Sequence, residues 1–402
     1  MSASMLYHTN QIEQVQVLKT EEYHSTHVIF HTLFTPKKTV CPCCGYNKSS
    51  LKGCKTRKLR MAPMGNKQAF LRVTIHRLRC LNCSHTWWPS MPFANPKKRV
   101  TLSFERYVIE LMLFATIEHV AKFLGVSWSL VKNIHKNHLQ KEYQNPDLKS
   151  IQYIGVDEFS IRKGHEYMTI FINLETGEII HAVEGKSMES VTPFILKLKE
   201  EALELKAIAM DMNAAYASVT KKYLPGVDVV FDRFHVVALL NKAIDEIRRD
   251  QQARCNEAGL KVIKGMRFLL LSNYEKINPE KQKSLDCLLE VNQPIALAHA
   301  MKEQIRLFWT KQSLQEGAKF LAWWIMDAVE SGIGELKKTG RTLLRNWEGL
   351  VTYFKHPITN GKTEGINNKI KTMKRQAYGF RDIEYFKLRL YNLHKARYSF
   401  AR

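Results

Sequence analysis

Three acidic residues stand in sequence contexts that could build a catalytic site. Asp157 and Asp211 each close a short apolar, strand-like run, and Glu364 opens a helix-like segment. A carboxylate at the end of a buried strand is costly unless it is paired or bound to a metal ion. Two strand ends and a helix-borne glutamate could therefore gather three carboxylates around Mg²⁺ or Mn²⁺. Such a site can activate a water molecule or a 3′-hydroxyl against a phosphodiester.

Two residues downstream of Asp211 have competing interpretations. Asp232 and His235, in FDRFHV, follow the fifth strand-like run and could support the metal site or orient a substrate phosphate. A structural hydrogen bond between them accounts for the same spacing. Glu158 follows Asp157 directly, so on a strand its side chain points to the opposite face and is not counted among the ligands.

The segment around Glu364 is polar and basic. Asn360, Lys362 and Asn367 flank Glu364 and could contact a DNA backbone, or they could simply form the polar start of a helix. A helix start also favours a carboxylate, because the helix dipole is positive there. The residues predicted to contact phosphates in this region are Lys362, Lys369, Lys371, Lys374 and Arg375.

The charge of the chain favours nucleic acid as its partner. The formal net charge of the 402 residues is +23, and no acidic residue occurs between Glu22 and Glu105. Phosphate backbones bind such surfaces by releasing counterions. A basic protein without a polyanionic partner is the alternative, and no amphipathic anchor supports a lipid surface. Because the apolar stretches are short and a secretory signal pattern is lacking, we expect a cytoplasmic protein.

Six of the eight cysteines precede residue 84, and four of them form two CxxC pairs. In a cytoplasmic chain this pattern indicates a structural zinc ribbon rather than disulfides. The predicted ligands are Cys41, Cys44, Cys80 and Cys83. The register stays open at two points, since Cys43 competes with Cys44 and His85 could replace a cysteine. Cys54 is predicted to be a free thiol.

The segment TIEHVAKFLGVSWSLVKNIHKNHL predicts a helix, a tight turn and a second helix. A small residue, a turn glycine and two apolar residues fall where a helix-turn-helix needs them, at Ala121, Gly125, Val131 and Ile134. An ordinary helical hairpin is the alternative, and the basic surroundings favour DNA binding. The residues that the second helix is predicted to present to DNA are Ser127, Trp128, Lys132 and Lys136.

From residue 152 onward the pattern predicts three antiparallel strands, then alternating helices and strands in the order β-β-β-α-β-α-β-α. This is the order of a ribonuclease-H-like mixed α/β sheet, in which the first and fourth strands are neighbours and Asp157 meets Asp211. Helical periodicity between about 251 and 350 predicts an all-helical insertion, with Trp309, Trp323, Trp324 and Trp347 in its core. The predicted divisions are 1–95 (zinc), 96–145 (helix-turn-helix), 150–250 (first part of the catalytic core), 251–350 (insertion) and 351–402 (last part of the core).

Together, the motifs CPCCG, RCLNC, VDEFS, AMDMNAAY, FDRFHV and NGKTEGINNKIKTMKRQAYGFRD resemble the ISL-three family of bacterial insertion-sequence transposases over nearly the whole chain. The resemblance implies a DDE core with an insertion, with Asp157, Asp211 and Glu364 as catalytic acids and metal ligands. It places the family's DxxH element on Asp232 and His235. The implied activity is binding of the terminal inverted repeats of an element, metal-dependent cleavage at its ends, and joining of the freed 3′-hydroxyl to target DNA.

Two other functions are compatible with the same modules. One is a DNA-binding regulator with an inactive core, against which the intact acidic triad argues. The other is a ribonuclease-H-like nuclease without strand transfer, against which the two DNA-binding modules argue. If two element ends must be held together, the protein is expected to act as at least a dimer on double-stranded DNA.

Overall fold

The computed structural model describes residues 3–23, 25–162 and 166–395, without the side chains of residues 23, 258 and 362–364. Two compact units make up the chain. The first comprises Met1–Gln144, Gln376–Leu388 and Lys395–Arg402, and the second comprises Asn145–Arg375 and Arg389–His394. The segment 351–402, expected to complete the catalytic core, is therefore divided between the units.

A five-stranded sheet forms the N-terminal part of the first unit, with strand order β1-β2-β4-β3 and a short β5 paired to β4. Residues alternate on β4, where Leu71 and Val73 are fully buried while Arg72 is exposed, as expected for a half-buried strand. The elements are α1 (Ala3–Asn10), β1 (Val15–Tyr23), β2 (His27–Phe34), β3 (Ser49–Met64), β4 (Lys67–Cys80) and β5 (Thr86–Trp87).

Three helices follow: α2 (Leu102–Leu111), α3 (Ile117–Leu124) and α4 (Trp128–Glu142). Helix α3 ends at Gly125, whose left-handed backbone (φ 62°) is the conformation glycine adopts without strain. Ser127 caps α4 by accepting a hydrogen bond from the Leu130 amide at 3.3 Å. The predicted helix-turn-helix is thus present, with Val131 and Ile134 buried in its core.

The second unit contains a five-stranded mixed sheet with strand order β10-β9-β6-β7-β8. Strands β6, β7 and β8 run antiparallel, whereas β9 and β10 are parallel to β6. This is the predicted ribonuclease-H-like order. The elements are β6 (Tyr153–Arg162), β7 (Glu166–Asn173), β8 (Ile179–Glu184), α5 (Met188–Glu201), β9 (Ala207–Met210), α6 (Ala214–Tyr223) and β10 (Asp228–Phe231).

Helices occupy the chain after β10. They are α7 (Arg233–Arg254), α8 (Glu257–Ile263), α9 (Arg267–Leu271), α10 (Pro279–Val291), α11 (Gln293–Ile305), α12 (Leu314–Glu330), α13 (Gly334–Arg345), α14 (Trp347–Val351), α15 (Gly361–Gln376) and α16 (Ile383–Tyr391). Across the described part of the chain, no helix has the length and apolar character needed to cross a membrane.

The prediction that all four tryptophans of this region are buried is wrong for one of them. Trp324 is 1% exposed and donates its indole N–H to the Met301 carbonyl, whereas Trp323 is 69% exposed. Adjacent positions on a helix lie about 100° apart, so only one of the two tryptophans on α12 can face the hydrophobic core against which this helix packs. Trp309 and Trp347 pack partly buried against that core.

Candidate active site and DNA-binding elements

Three adjacent strands of the second unit bring their aspartates together: Asp157 lies within β6, and Asp211 and Asp232 directly follow β9 and β10. Strand β6 continues to Arg162, so the prediction that Asp157 closes its strand is wrong. Strands β6 and β9 pair in parallel, and their register, continued past the last paired residues, aligns Asp157 with Asp211. Strand β10 follows β9 in parallel, and the amide of Asp232 donates to the Met210 carbonyl at 3.0 Å. The structure therefore brings together the two strand-borne acids predicted from the sequence and adds Asp232 beside them.

His235, in the first turn of α7, bridges two of these carboxylates. Its Nδ1 lies 2.7 Å from Oδ1 of Asp211 and 3.5 Å from Oδ2 of the buried Asp232. Burial alone would lower the pKa of His235, but the two carboxylates outweigh it and raise that pKa to about 10. His235 and the two carboxylates thus form an ion-paired group, in which the contact between Nδ1 and Asp211 is close but is not aligned as a hydrogen bond.

The carboxylate of Asp157 is held by two donors. Its Oδ1 accepts a hydrogen bond from the Glu158 amide at 2.7 Å, and its Oδ2 accepts one from Nδ2 of Asn367 at 2.6 Å. Burial raises the pKa of Asp157, and the nearby carboxylate of Asp211 adds to this effect. An ionised carboxylate has about four lone-pair positions, so both oxygens keep the capacity to bind a cation.

Helix α15, which carries Glu364, is anchored to β6 on both sides of that residue. Before it, the buried Asn360 donates from Nδ2 to the Val156 carbonyl at 3.0 Å. After it, Asn367 donates to Asp157. A Cβ at Gly155 would approach Oδ1 of Asn360 to 2.6 Å, so a larger residue there would displace the first anchor.

The side chains of Glu364 and Lys362 lie outside the described residues. The structure shows the helix that carries both residues and the two hydrogen bonds that join it to β6. The role of Glu364 as a metal ligand stays a prediction. An open cavity of about 650 Å³ adjoins the acidic cluster and is lined in part by Asp211, His235 and Lys242. A DNA phosphate entering this cavity would meet the ammonium group of Lys242 beside the carboxylates.

The four predicted zinc ligands converge. Their sulfurs lie within 4.8 Å of one another, with Cys41 and Cys83 at 3.6 Å and Cys44 and Cys80 at 3.6 Å. A tetrahedral zinc ion with Zn–S bonds of about 2.3 Å separates its sulfurs by roughly 3.8 Å. The donor set and its spacing fit zinc, and neither Cys43 nor His85 belongs to the group.

The residues predicted to face DNA on α4 differ in environment. Trp128 is 51% exposed, and Ser127 is exposed although it also caps the helix. The sequence predicts that Lys132 and Lys136 face DNA, but both side chains are engaged in ion pairs. Each ammonium lies 2.8 Å from Oδ2 of Asp382.

The basic residues of α15 also divide into two groups. Lys374 donates to the Ser160 carbonyl at 2.7 Å, and burial lowers its pKa. Lys369, Lys371 and Arg375 are exposed. The exposed side chains remain candidates for phosphate contacts, while Lys374 has an additional structural role on β6.

Family comparisons place this arrangement among transposases. The DDE transposase model of family ISL3, described as "Transposase", matches residues 154–390. Models described as "Helix-turn-helix domain of transposase family ISL3" and "zinc-finger of transposase IS204/IS1001/IS1096/IS1165" match residues 89–139 and 37–83. The chain belongs to the ISL3 family of transposases.

Individual relatives agree with this assignment. A transposase for insertion sequence element IS1001 from Bordetella parapertussis is 31% identical over 360 residues, which cover 89% of each chain. A transposase for insertion sequence element IS1557 from Mycobacterium tuberculosis is 23% identical, covering 85% of this chain and 82% of the relative. The Drosophila P element transposase strand transfer complex aligns with 77% of this chain and 95% of that one, at 10% identity and a TM-score of 0.37, too distant to bear on the fold.

As an ISL3 transposase, the protein is a DNA-binding, metal-dependent polynucleotidyl transferase with a structural zinc ribbon. The family's catalytic metal is Mg²⁺ or Mn²⁺, and the oxygen donors of Asp157 on β6 and Asp211 after β9 suit these hard cations. The resemblance predicted from the motifs is confirmed, as are the structural zinc and the catalytic Mg²⁺ or Mn²⁺.

Local sequence patterns gave no signal for several residues that support these sites. The sequence predicts DNA contacts or helix caps for Asn360 and Asn367, whereas the structure shows them anchoring α15 to β6. No local pattern marks Asp382 and Tyr385, which contact the second helix of the helix-turn-helix. Their partners lie about 250 residues earlier in the chain, beyond the reach of any periodicity.

Proposed function

We propose that this ISL3 transposase binds the terminal inverted repeats of an insertion sequence, cleaves DNA at the element ends, and joins the freed 3′-hydroxyls to target DNA. Asp157, Asp211 and Glu364 are the proposed catalytic acids and metal ligands. The observation that carries the proposal is the hydrogen bond of 2.6 Å between Asn367 and Asp157, which ties the helix of Glu364 to the strand pair of Asp157 and Asp211.

The proposed chemistry uses one site for two in-line displacements. In the first, water attacks the phosphodiester at the element end, leaving a 3′-hydroxyl on one product and a 5′-phosphate on the other. In the second, that 3′-hydroxyl attacks a target phosphodiester, forming a new phosphodiester and releasing a target 3′-hydroxyl. Bound Mg²⁺ or Mn²⁺ supplies activation of the attacking oxygen and stabilisation of the leaving one. The proposed role of the protein is to hold the carboxylates, with His235 ion-paired to Asp211 and Asn367 hydrogen-bonded to Asp157.

Recognition and catalysis are assigned to different elements. The first unit, with its zinc ribbon and helix-turn-helix, is proposed to bind the repeats, and the exposed basic residues of α15 are proposed to contact phosphates near the cleavage point. Joining two ends in one event requires both ends at once, so we propose at least a dimer. Acting on chromosomal DNA, the protein is proposed to work at the nucleoid of a bacterial cell.

A strand-transfer assay tests the proposal against the two other functions. Purified protein is incubated with Mg²⁺, a labelled duplex carrying one element end, and supercoiled target plasmid. We expect labelled DNA joined to the plasmid. Cleavage without joined product would indicate a nuclease, and specific binding without cleavage would indicate a regulator.

Asn367 is predicted to act as a positioning residue for Asp157. Replacing it with alanine removes the donor to Oδ2 and is expected to slow cleavage about 10- to 100-fold, the usual effect of losing a residue that orients a metal ligand. The Mg²⁺ concentration needed for half-maximal rate should rise, while affinity for DNA should not change. The matched control is Asn368→Ala, which removes an exposed asparagine next to it on the same helix. Equal effects of the two substitutions would contradict the positioning role.

A further inference from the structure

The second helix of the helix-turn-helix, α4, carries two lysines that share one acidic partner. Lys132 and Lys136 are one helical turn apart, and both ammonium groups lie 2.8 Å from Oδ2 of Asp382. Only 20% and 24% of the two lysine side chains is exposed. Both ammonium groups are therefore already engaged within the first unit, by one carboxylate that offsets one of their two charges.

Asp382 is held in place more firmly than the acid of an ordinary surface ion pair. Its Oδ1 accepts a hydrogen bond from the Tyr385 amide at 3.0 Å, capping the start of α16. The hydroxyl of Tyr385, a residue only 2% exposed, is 2.7 Å from Nδ1 of the buried His135 on α4. Burial works to raise the pKa of Asp382, but the two ammonium groups outweigh it and hold that pKa well below its usual range. Exposed ion pairs are weak because their side chains must be ordered, and here the packing of Tyr385 orders the acid in advance.

A different set of side chains remains free to meet DNA. One solvent-facing stripe of α4 is neutral and polar and recurs at intervals of four residues, at Ser129, Asn133 and Asn137, while the exposed charged residues Lys141 and Glu142 lie in the last turn. Asparagine can pair with the major-groove edge of adenine through two hydrogen bonds, which discriminates between bases. Lysine contacts to phosphates add affinity that is blind to sequence.

We propose that Asp382 is a specificity-determining residue of this transposase. It withdraws Lys132 and Lys136 from DNA phosphates, so that binding through α4 depends on the neutral stripe of Ser129, Asn133 and Asn137. Sequence-blind affinity of α4 is kept low by an acid that the chain supplies from a segment about 250 residues later. The inference rests on DNA binding by the helix-turn-helix and is independent of the acidic site of the second unit.

The test is equilibrium DNA binding by the full-length protein with Asp382→Asn. Asparagine also caps helices, so the substitution removes the charge and keeps the start of α16. The ligands are random-sequence duplex DNA and the duplex that the unaltered protein selects from a random pool. Because each phosphate contact contributes about 0.9 to the slope of log affinity against log salt concentration, two freed lysines should steepen that slope by about 2. Random DNA should gain several-fold more affinity than selected DNA, so the specificity ratio should fall.

Two further variants keep the outcome decisive. Glu118→Gln also removes one negative charge from the first unit, but its partner Lys122 on α3 is already 73% exposed, so its slope should stay near that of the unaltered protein. The triple variant Lys132→Gln, Lys136→Gln, Asp382→Asn should regain the unaltered slope, because those lysines make no phosphate contacts in the unaltered protein.

A slope for Asp382→Asn equal to that of Glu118→Gln would overturn the proposal. So would a triple variant whose slope is flatter by about 2, since the lysines would then contact phosphates despite Asp382. The readout is binding, so loss of cleavage activity would not be mistaken for failure of this inference.

Discussion

Replacing Asp157 or Asp211 with asparagine is expected to abolish DNA cleavage and leave DNA binding intact. Asp157 lies within β6 and Asp211 directly follows the neighbouring strand β9, and their carboxylates are close enough for Asp211 to raise the pKa of Asp157. A catalytic metal ion contributes several kcal/mol of transition-state stabilisation, so losing one of its ligands should slow cleavage by about a thousandfold or more. The measurement is single-turnover cleavage of an element-end duplex at saturating protein.

The matched control is Asp228→Asn at the opposite end of β10. Asp228 also belongs to the second unit and is also paired, with Lys355 and His356, but it lies away from the acidic edge of the sheet. It should retain cleavage within a few-fold of the unaltered protein. If Asp157→Asn and Asp211→Asn cleave at the rate of this control, the assignment of the site fails. If they lose DNA binding as well, the loss of cleavage reflects misfolding.

The second large effect is expected at the zinc ribbon. Purified protein should contain one equivalent of zinc, and Cys80→Ser should lose it, because the four sulfurs already stand at the spacing of a tetrahedral site. Structural zinc in small domains contributes on the order of 10 kcal/mol to folding, so the first unit should lose its cooperative unfolding transition in the variant. Metal analysis and thermal unfolding followed by circular dichroism measure the two effects.

Cys54→Ser is the control for that substitution. Cys54 is exposed on β3 and lies outside the group of four, so its replacement should change neither zinc content nor unfolding. Zinc retained by Cys80→Ser, or zinc absent from freshly prepared reduced protein, would refute the ligand assignment.

The parts of this structure that could be predicted from the sequence depend on short-range patterns. Two CxxC pairs predicted the cluster of four sulfurs, because two such turns present four thiolates at the spacing of a tetrahedral zinc site. Alternating and helical periodicities predicted the ribonuclease-H-like order and the turn at Gly125. Asp157 and Asp211 could be predicted as neighbours because a carboxylate at an apolar, strand-like run needs a partner, although β6 continues past Asp157 to Arg162.

The parts that could not be predicted depend on which distant segments pack together. The ion pairs of Lys132 and Lys136 with Asp382 join residues about 250 positions apart, and nothing near α4 in the sequence indicates them. Lys374 was expected to face DNA, and its bond to the Ser160 carbonyl arises only once α15 lies on β6. Charge and helical position predict that such a lysine is near the surface, but its partner is decided by the tertiary fold.

Metal-directed cleavage of the protein chain tests most directly whether the proposed acids share a metal site. Fe²⁺ bound in place of Mg²⁺ generates hydroxyl radicals with ascorbate and peroxide, and these cut the backbone beside the metal. For the unaltered protein bound to an element-end duplex, we expect cuts near Asp157, Asp211 and Glu364, all suppressed by excess Mg²⁺. Iron at the cysteines would cut near residues 41–83 and would not be displaced by Mg²⁺. Magnesium-sensitive cuts near Asp157 and Asp211 with none near Glu364, or cuts confined to other parts of the second unit, would contradict the three-acid site.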